Sequence, residues 1–325
     1  MDSREYIFIY PLKTNADIPA DFPPEVRARS FETGVFVPQD DSNRFARSPR
    51  YPARVLFLNG RTLYIVAHPT AGQSPVEIKL DELLQLETGT ILLLGWMNFT
   101  TPAGIYELVY NTRGSLPLED FLALLKRRWF ETTPHLPKEL VRTLGHELDL
   151  KFRNSSHLEL GRDETVLAQY FQAPIPFEKK FLFFRRLHCR PGNLILWTSS
   201  NRLIWITDEY KRRRELYVSI SFSAPFSLFQ RCNLQAEDRQ RFVDIIFSSG
   251  VTWHVPIYEE SGVESSLCQL LNELALGMSR EHGIVKKSSG QPAAPVDACW
   301  NQRHSRRRFR QSRIFSQSLT HKIDN

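Results

Sequence analysis

Basic residues form the two densest groups of chemically active side chains in this sequence. The first group is a run of four, Lys211, Arg212, Arg213 and Arg214, and the second lies near the C-terminus and includes Arg306, Arg307, Arg308 and Arg310. Convergent ammonium and guanidinium groups match the geometry of phosphate oxygens, so both groups are candidate sites for an anionic ligand. Three carboxylates flank the first run, and a solvated hairpin tip is therefore the alternative interpretation.

The positive charge of the chain belongs to its C-terminal segment. The 325 residues have a net charge of +6, but residues 286–325 alone contain nine basic and two acidic groups. Residues 1–285 therefore have a net charge of −1, which argues against a nucleic-acid-binding body. Ser, Arg, Gln and Pro dominate from residue 288 onward without apolar periodicity, and this composition predicts a disordered tail. Such a tail could contact nucleic acid or an anionic membrane surface, with Trp300, Phe309 and Phe315 as stacking or insertion groups.

No catalytic motif is present in the sequence. There is no glycine-rich phosphate-binding loop and no GxSxG, and His146-Glu147 is followed by Leu150 where a zinc-protease motif needs a second histidine. The nine histidines are scattered, and the four cysteines contain no CxxC pair. We therefore predict a chain that is not an enzyme and has no cofactor or metal; a site assembled from distant residues between two domains is the alternative.

Two stretches about 140 residues apart share one order of predicted elements. Residues 54–66 and 193–207 each contain two apolar runs split by a short polar turn that ends near Arg61 or Arg202, which is typical of a β-hairpin. Further strands are predicted at 76–80 and 104–112 in the first copy and at 216–222 and 241–249 in the second. Each copy ends on an apolar helical stripe: Leu118, Phe121, Leu122, Leu125 and Trp129, and then Val263, Leu267, Leu270, Leu271 and Leu274. The alternative is chance similarity between two ordinary hairpins.

The remaining segments fit around these two copies. Short strands are predicted at 6–10, 34–37, 165–171 and 180–184, and residues 136–150 have helical character followed by polar turns. The predicted domains are a first unit with an N-terminal extension at 1–130, a connecting segment at 131–163, a second unit at 164–285 and the basic tail at 286–325. We expect a cytoplasmic location, since neither a secretory signal nor an apolar run of membrane-spanning length is present.

The first copy resembles the bacterial pleckstrin-homology-like domains. The resemblance runs from Arg54-Val-Leu-Phe-Leu through Ile78-Lys-Leu-Asp-Glu-Leu and Ile91-Leu-Leu-Leu-Gly-Trp to Lys126-Arg-Arg-Trp, and it covers about half of the chain. The second copy departs from it at Ser219-Ile-Ser-Phe-Ser-Ala-Pro. The resemblance implies an α+β, mainly β fold of two tandem units, each a curved antiparallel sheet or partly open barrel closed by a C-terminal helix.

The resemblance also implies a function in binding. Domains of this kind serve protein, peptide and lipid partners and are seldom catalytic, so we predict a binding or scaffold protein with a protein partner. The alternative is a peripheral protein of anionic membranes, since basic hairpin loops of such domains can bind phosphorylated lipid headgroups. In that case Lys211–Arg214 and the basic tail would form the contact. Fold alone does not identify the partner.

Overall fold

β-strands dominate the computed structural model, which describes residues 8–39, 51–91, 93–131, 142–145, 147–161, 164–181, 184–211, 216–237, 240–258 and 263–281. Within these ranges the strands are β1 (Tyr10–Leu12), β2 (Thr33–Val37), β3 (Arg54–Asn59), β4 (Thr62–Ala67), β5 (Val76–Lys79), β6 (Gln85–Ile91), β7 (Leu94–Thr101), β8 (Gly104–Asn111), β9 (Arg142–Gly145), β10 (Val166–Gln172), β11 (Ile175–Phe181), β12 (Phe184–Arg190), β13 (Asn193–Thr198), β14 (Arg202–Lys211), β15 (Leu216–Pro225), β16 (Phe229–Glu237), β17 (Gln240–Phe247) and β18 (Thr252–Ile257). The α-helices are α1 (Pro24–Arg27), α2 (Leu116–Phe130), α3 (Leu150–Glu159) and α4 (Val263–Glu281).

The strands form four sheets. One has the order β1-β2-β3-β4-β5, one the order β8-β7-β6-β15-β14-β13-β10-β9, one contains β11 and β12, and one has the order β16-β17-β18. Every pair of neighbours is antiparallel apart from β9 and β10, which run parallel. Among the described residues, no sheet closes on itself. The prediction of a mainly β chain with antiparallel sheets is therefore confirmed.

The two predicted hairpins are present, and each turn has the backbone that its residues favour. β3 and β4 pair from Arg54 opposite Ala67 to Asn59 opposite Thr62, and Gly60 has a φ of 56°. β13 and β14 form the second hairpin, where Asn201 has a φ of 58°. Glycine and asparagine tolerate this left-handed region better than other residues, which explains why short turns occur at these positions.

The predicted apolar stripes are the buried faces of α2 and α4. All five stripe residues of α2 are buried, and they pack in one core with Leu56 and Leu58 of β3. In α4, Leu267, Leu270 and Leu271 are buried in a second core with Val243 and Ile245 of β17. Apolar residues three and four positions apart lie on the same side of a helix, so each helix buries one stripe against strands.

The eight-stranded sheet packs against the first core on one face and against the second core on the other. β6 directs Leu86 into the first core. The adjacent Gln85 points to the other face, where its Oε1 accepts a hydrogen bond of 2.8 Å from the indole of Trp253 in the second core. Five residue pairs, from Ser219 opposite Thr90 to Ser223 opposite Leu86, join β6 to β15. Because successive side chains of a strand alternate between faces, one backbone ladder can support both cores.

The connecting segment differs from its predicted form. The helical character predicted for 136–150 is wrong at residues 142–145, which form β9, and the polar turns predicted after residue 150 form α3 instead. The carboxylate of Asp149 caps α3 by accepting a hydrogen bond of 2.8 Å from the backbone of Phe152, whose ring is buried. This cap and the burial of Phe152 outweigh the low helix propensity of Asn154, Ser155 and Ser156.

The strand predicted at 180–184 covers the end of β11 and the first residue of β12, and residues 182–183 between them lie outside the described part of the chain. β11 and β12 pair antiparallel, from Ile175 opposite Arg190 to Phe181 opposite Phe184. The predicted domain boundaries at residues 130, 163 and 285 stay a prediction. The described residues between 8 and 278 form one compact unit. Within the described part of the chain, no helix has the length and apolar content needed to cross a membrane.

The shared sheet predicts that both cores unfold together. Leu108 is fully buried in the first core, so Leu108→Ala should lower the free energy of unfolding by about 2–5 kcal/mol. We expect thermal unfolding followed by circular dichroism and tryptophan fluorescence to show one transition at a lower temperature. Leu158→Ala is the control, because this side chain is 80% exposed and its loss should change the stability by less than about 0.5 kcal/mol. A second transition that Leu108→Ala leaves in place would contradict joint unfolding.

Candidate functional site

A groove between β9 and α4 is the candidate functional site. Its cavity of about 200 Å³ is lined by Leu144 of β9 and by Ser266, Gln269, Leu270 and Glu273 of α4. Leu270 is buried and Leu144 is half-buried, whereas the three polar residues are exposed. The groove therefore has an apolar floor and a polar rim. Nε2 of Gln269 donates a hydrogen bond of 2.7 Å to the carboxylate of Glu273 along this rim.

β9 lies at the end of the eight-stranded sheet. Among the described residues, its hydrogen-bonded neighbour is β10 on one side only. Gly145 opposite Phe171 permits this close pairing, since it has a φ of 89° and a Cβ there would lie 2.2 Å from the carbonyl oxygen of Phe171. Leu144 packs against the second core and anchors the strand. The outer backbone groups of an edge strand are a template on which a further strand can pair.

A buried charge cluster lies beside the turn of the second hairpin, between β13 and β14. Arg202, 2% exposed, donates from Nη2 to the carboxylate of Glu164 at 2.5 Å and to the backbone carbonyl of Glu159 at 2.7 Å. The same carboxylate accepts hydrogen bonds from the hydroxyls of Thr198 and Ser200. The guanidinium carbon of Arg202 lies 5.3 Å from the ring centroid of Phe130 in α2. Arg202 thus contacts the ends of both α2 and α3.

A second ion pair joins the same helices. The ammonium of Lys126 in α2 donates to the carboxylate of Glu159 in α3, and each side chain is only 13% exposed. Removing one partner of a buried ion pair costs about 3–5 kcal/mol, because the other charge is left without compensation. The Arg202–Glu164 and Lys126–Glu159 pairs therefore fix the positions of α2 and α3 on the sheet.

The arginines of the two hairpin turns have similar contacts. Arg61 donates from Nη1 to the backbone carbonyl of Arg128 in the last turn of α2 at 2.6 Å, and from Nη2 to Asp81 at 2.6 Å. Arg202 donates in the same way to the last residue of α3 and to a carboxylate. The last carbonyls of a helix have no partner within the helix and favour a nearby cation. The arginines of the two hairpin turns thus act as helix caps.

The charge cluster lowers the pKa of both of its carboxyl groups. Burial alone would raise the pKa of Glu164, but the Arg202 guanidinium and the hydroxyls of Ser200 and Thr198 bring it below its ordinary value. Burial likewise opposes ionisation of Glu159, and the charge and hydrogen bond of Lys126 outweigh it and lower the pKa. Both groups are therefore carboxylates near neutral pH. Their environment is that of a structural ion-pair network, which can perturb pKa values as an active site does.

The sequence-predicted anion sites lie mostly outside the described residues. Lys211 is the last residue of β14, and Arg212, Arg213 and Arg214 lie between β14 and β15, outside the described residues. The tail residues Arg306, Arg307, Arg308 and Arg310 also lie outside the described part of the chain. The prediction of an anionic-lipid or nucleic-acid contact through these residues stays a prediction. The placement of 211–214 between two paired strands agrees with the hairpin expected there.

Two further polar groups are buried without forming a site of their own. Arg54 is 7% exposed, its Nη1 has no hydrogen-bond partner among the described residues, and burial lowers its pKa. Asp244 is 5% exposed and lies 2.8 Å from Nδ1 of His254, which is on the surface. Among the described residues, no group of three or more His, Cys, Asp and Glu side chains could hold a metal ion.

The groove residues carry no sequence motif that could have singled them out. Leu270 was predicted as part of an apolar stripe, and Ser266, Gln269 and Glu273 are ordinary surface residues of a helix. Comparison with protein-family models and with curated proteins finds no match to this chain. The interpretation of the site therefore depends on its geometry.

The charge cluster predicts how stability depends on pH. Since the folded-state pKa of Glu164 lies below its ordinary value of 4.5, the stabilisation by its carboxylate is complete above that pH and is lost as the pH falls through the folded-state pKa. Glu164→Gln should lower the free energy of unfolding by about 3 kcal/mol at pH 7. In this variant the free energy of unfolding should also decrease less steeply as the pH falls. Urea unfolding at a series of pH values measures both effects.

Glu77→Gln is the matched control for this variant. Glu77 is an exposed residue of β5, so its replacement should change the free energy of unfolding by less than about 0.5 kcal/mol and leave its dependence on pH unchanged. Equal pH profiles for Glu164→Gln and the unchanged chain would show that Glu164 is not an ionised, buried carboxylate.

Proposed function

We propose that this chain is a non-catalytic binding protein built from two tandem pleckstrin-homology-like units. The order of elements supports the proposal. In the first half, the four antiparallel strands β2–β5 are followed by the three strands β6–β8 and by α2. In the second half, β10 and β13–β15 are followed by β16–β18 and by α4, with the β11–β12 hairpin inserted after β10. Four strands, three strands and one helix thus occur twice, at the spacing of the sequence repeat.

The binding function is assigned to the groove between β9 and α4. The observation that carries this assignment is an edge strand lying beside an apolar groove with a helix as its other wall. A peptide in extended conformation can pair its backbone with an edge strand, while its alternate side chains enter a neighbouring pocket. The backbone pairing supplies affinity, and the pocket selects the side chain.

The groove fits one large apolar side chain of a peptide. Its volume of about 200 Å³ is smaller than the roughly 300–1,000 Å³ of pockets that enclose a small molecule or cofactor. Leu144 and Leu270 favour an apolar group at the floor. At the rim, the carboxylate of Glu273 favours a Lys or Arg nearby in the peptide. The proposed ligand is therefore an extended segment of a protein partner, with an apolar residue next to a basic one.

Selection of peptides from a randomised display library on the full-length chain tests this function. The selected peptides should contain an apolar residue beside a basic residue, and fluorescence anisotropy should give their affinity. Ser266→Arg places a long cation at the groove and should weaken binding about tenfold, a change of 1.4 kcal/mol. Glu273→Gln should weaken the binding of peptides that contain a basic residue more than the binding of peptide variants in which glutamine replaces that residue.

Ser265→Arg is the matched control, because Ser265 is the exposed neighbour of Ser266 on α4 and does not line the groove. Binding by this variant should equal that of the unchanged chain. Equal weakening by both arginine substitutions, or a selection that yields no binding peptide, would reject the groove as the docking site. Self-association of the chain that Ser266→Arg abolishes would identify a second copy as the occupant and would also reject a peptide partner.

A further inference from the structure

Two cysteines meet inside the second core, and neither of them lines the groove. Cys232 lies on β16 and Cys268 lies on α4, and they are 2% and 7% exposed. Their Sγ atoms are 2.9 Å apart, with the thiol of Cys232 donating to the sulfur of Cys268. Both thiols are free in this structure. A disulfide has an S–S length of about 2.05 Å, so a relative movement of about 0.9 Å would bring the two sulfurs to bonding distance.

Two hydrogen bonds between Asn272 and the backbone of Cys232 hold the two cysteines in register. The side-chain amide of Asn272 accepts a hydrogen bond of 2.8 Å from the backbone N–H of Cys232 and donates one of 2.9 Å to its carbonyl. Asn272 lies four residues after Cys268 and therefore on the same side of α4. One turn of the helix thus meets Cys232 at three points, two on its backbone and one on its sulfur. This arrangement limits sliding of α4 along β16.

We propose that Cys232 and Cys268 form a redox modification site, at which a peroxide converts the thiol pair into a disulfide that links α4 to β16. The reaction has two steps. The thiolate of Cys268 attacks one peroxide oxygen, an S–O bond forms as the O–O bond breaks, and the hydroxide released takes up the proton that the thiol lost and leaves as one water. The sulfur of Cys232 then attacks the resulting sulfenic acid, the S–S bond forms as the S–O bond breaks, and a second water leaves. Two thiols are oxidised by two electrons, and one hydrogen peroxide is reduced to two waters.

The electrostatics of the pair support this order of steps. The hydrogen bond that Cys232 donates raises the pKa of its own thiol and lowers the pKa of the Cys268 thiol. Cys268 therefore loses its proton first, and the thiolate is the nucleophilic form. Both sulfurs are buried, so peroxide reaches them when the contact between α4 and β16 opens transiently. The reaction should accordingly accelerate at urea concentrations below the unfolding transition.

The test treats the reduced full-length chain with hydrogen peroxide and counts thiols. Two of the four thiols should be lost, and peptide mapping by mass spectrometry without reductant should find Cys232 joined to Cys268. Amide hydrogen exchange of α4 should slow about tenfold after oxidation and return to its original rate with a reductant. A disulfide that involves Cys189 or Cys299, oxidation of either buried cysteine to sulfinic acid alone, or no reaction at all would overturn the proposal.

Single substitutions separate the pair from the other thiols. Cys189→Ala should still lose two thiols, because Cys189 lies on β12 outside the pair. Cys232→Ala should form no internal disulfide and should leave Cys268 as a sulfenic acid that dimedone traps. If Cys232→Ala does not fold, the peptide map of the unchanged chain still decides the pairing. Dimedone labelling of Cys189 with none on Cys268 would contradict the assigned nucleophile.

Discussion

The pairing of β6 with β15 is the constraint on which the rest of the structure depends. It places strands from both halves of the chain in one sheet, so that each half has its core on a different face of the same backbone ladder. A strand at this position must alternate between two apolar environments. The side chain of Gln85 lies on the face of β6 that packs against the second core, where it is buried. Its amide oxygen accepts a hydrogen bond from the indole N–H of Trp253. Burial of such a polar group is tolerated because it has this partner.

The buried ion pairs follow from the same constraint. On the face where the first half has its core, the second half must cover its strands with other elements, and α3 fills this position by packing Phe152 against Leu194 and Ile204. Lys126–Glu159 and Arg202–Glu164 then lie where α2, α3 and β14 meet. Buried ion pairs add little net stability compared with apolar groups, but a misplaced partner is costly. We infer that their role is to select one arrangement of these elements.

The elements with local signals could be predicted from the sequence. Asn59-Gly60 identifies a hairpin because both residues tolerate positive φ, and the five-residue stripe from Leu118 to Trp129 identifies a buried helix face. β9 and α3 were missed, because β9 depends on Gly145 approaching Phe171 across the sheet and α3 depends on the burial of Phe152. Contacts between distant segments, such as Gly89 opposite Ile220, leave no periodicity in one sequence. The groove residues were missed for the same reason, since Leu144 and Ser266 are brought together by the fold alone.

Residue-level hydrogen exchange along β6 and β15 tests the central claim most directly. If these strands form one ladder that supports both cores, the amides that face across the pair, such as those of Thr88, Thr90 and Ser221, exchange only when the whole molecule unfolds. Their free energy of opening should then equal that of the most protected amides in β3 and β17. Opening of the β6–β15 pair at a distinctly lower free energy, with both cores still protected, would show that the two halves fold independently and would contradict the account.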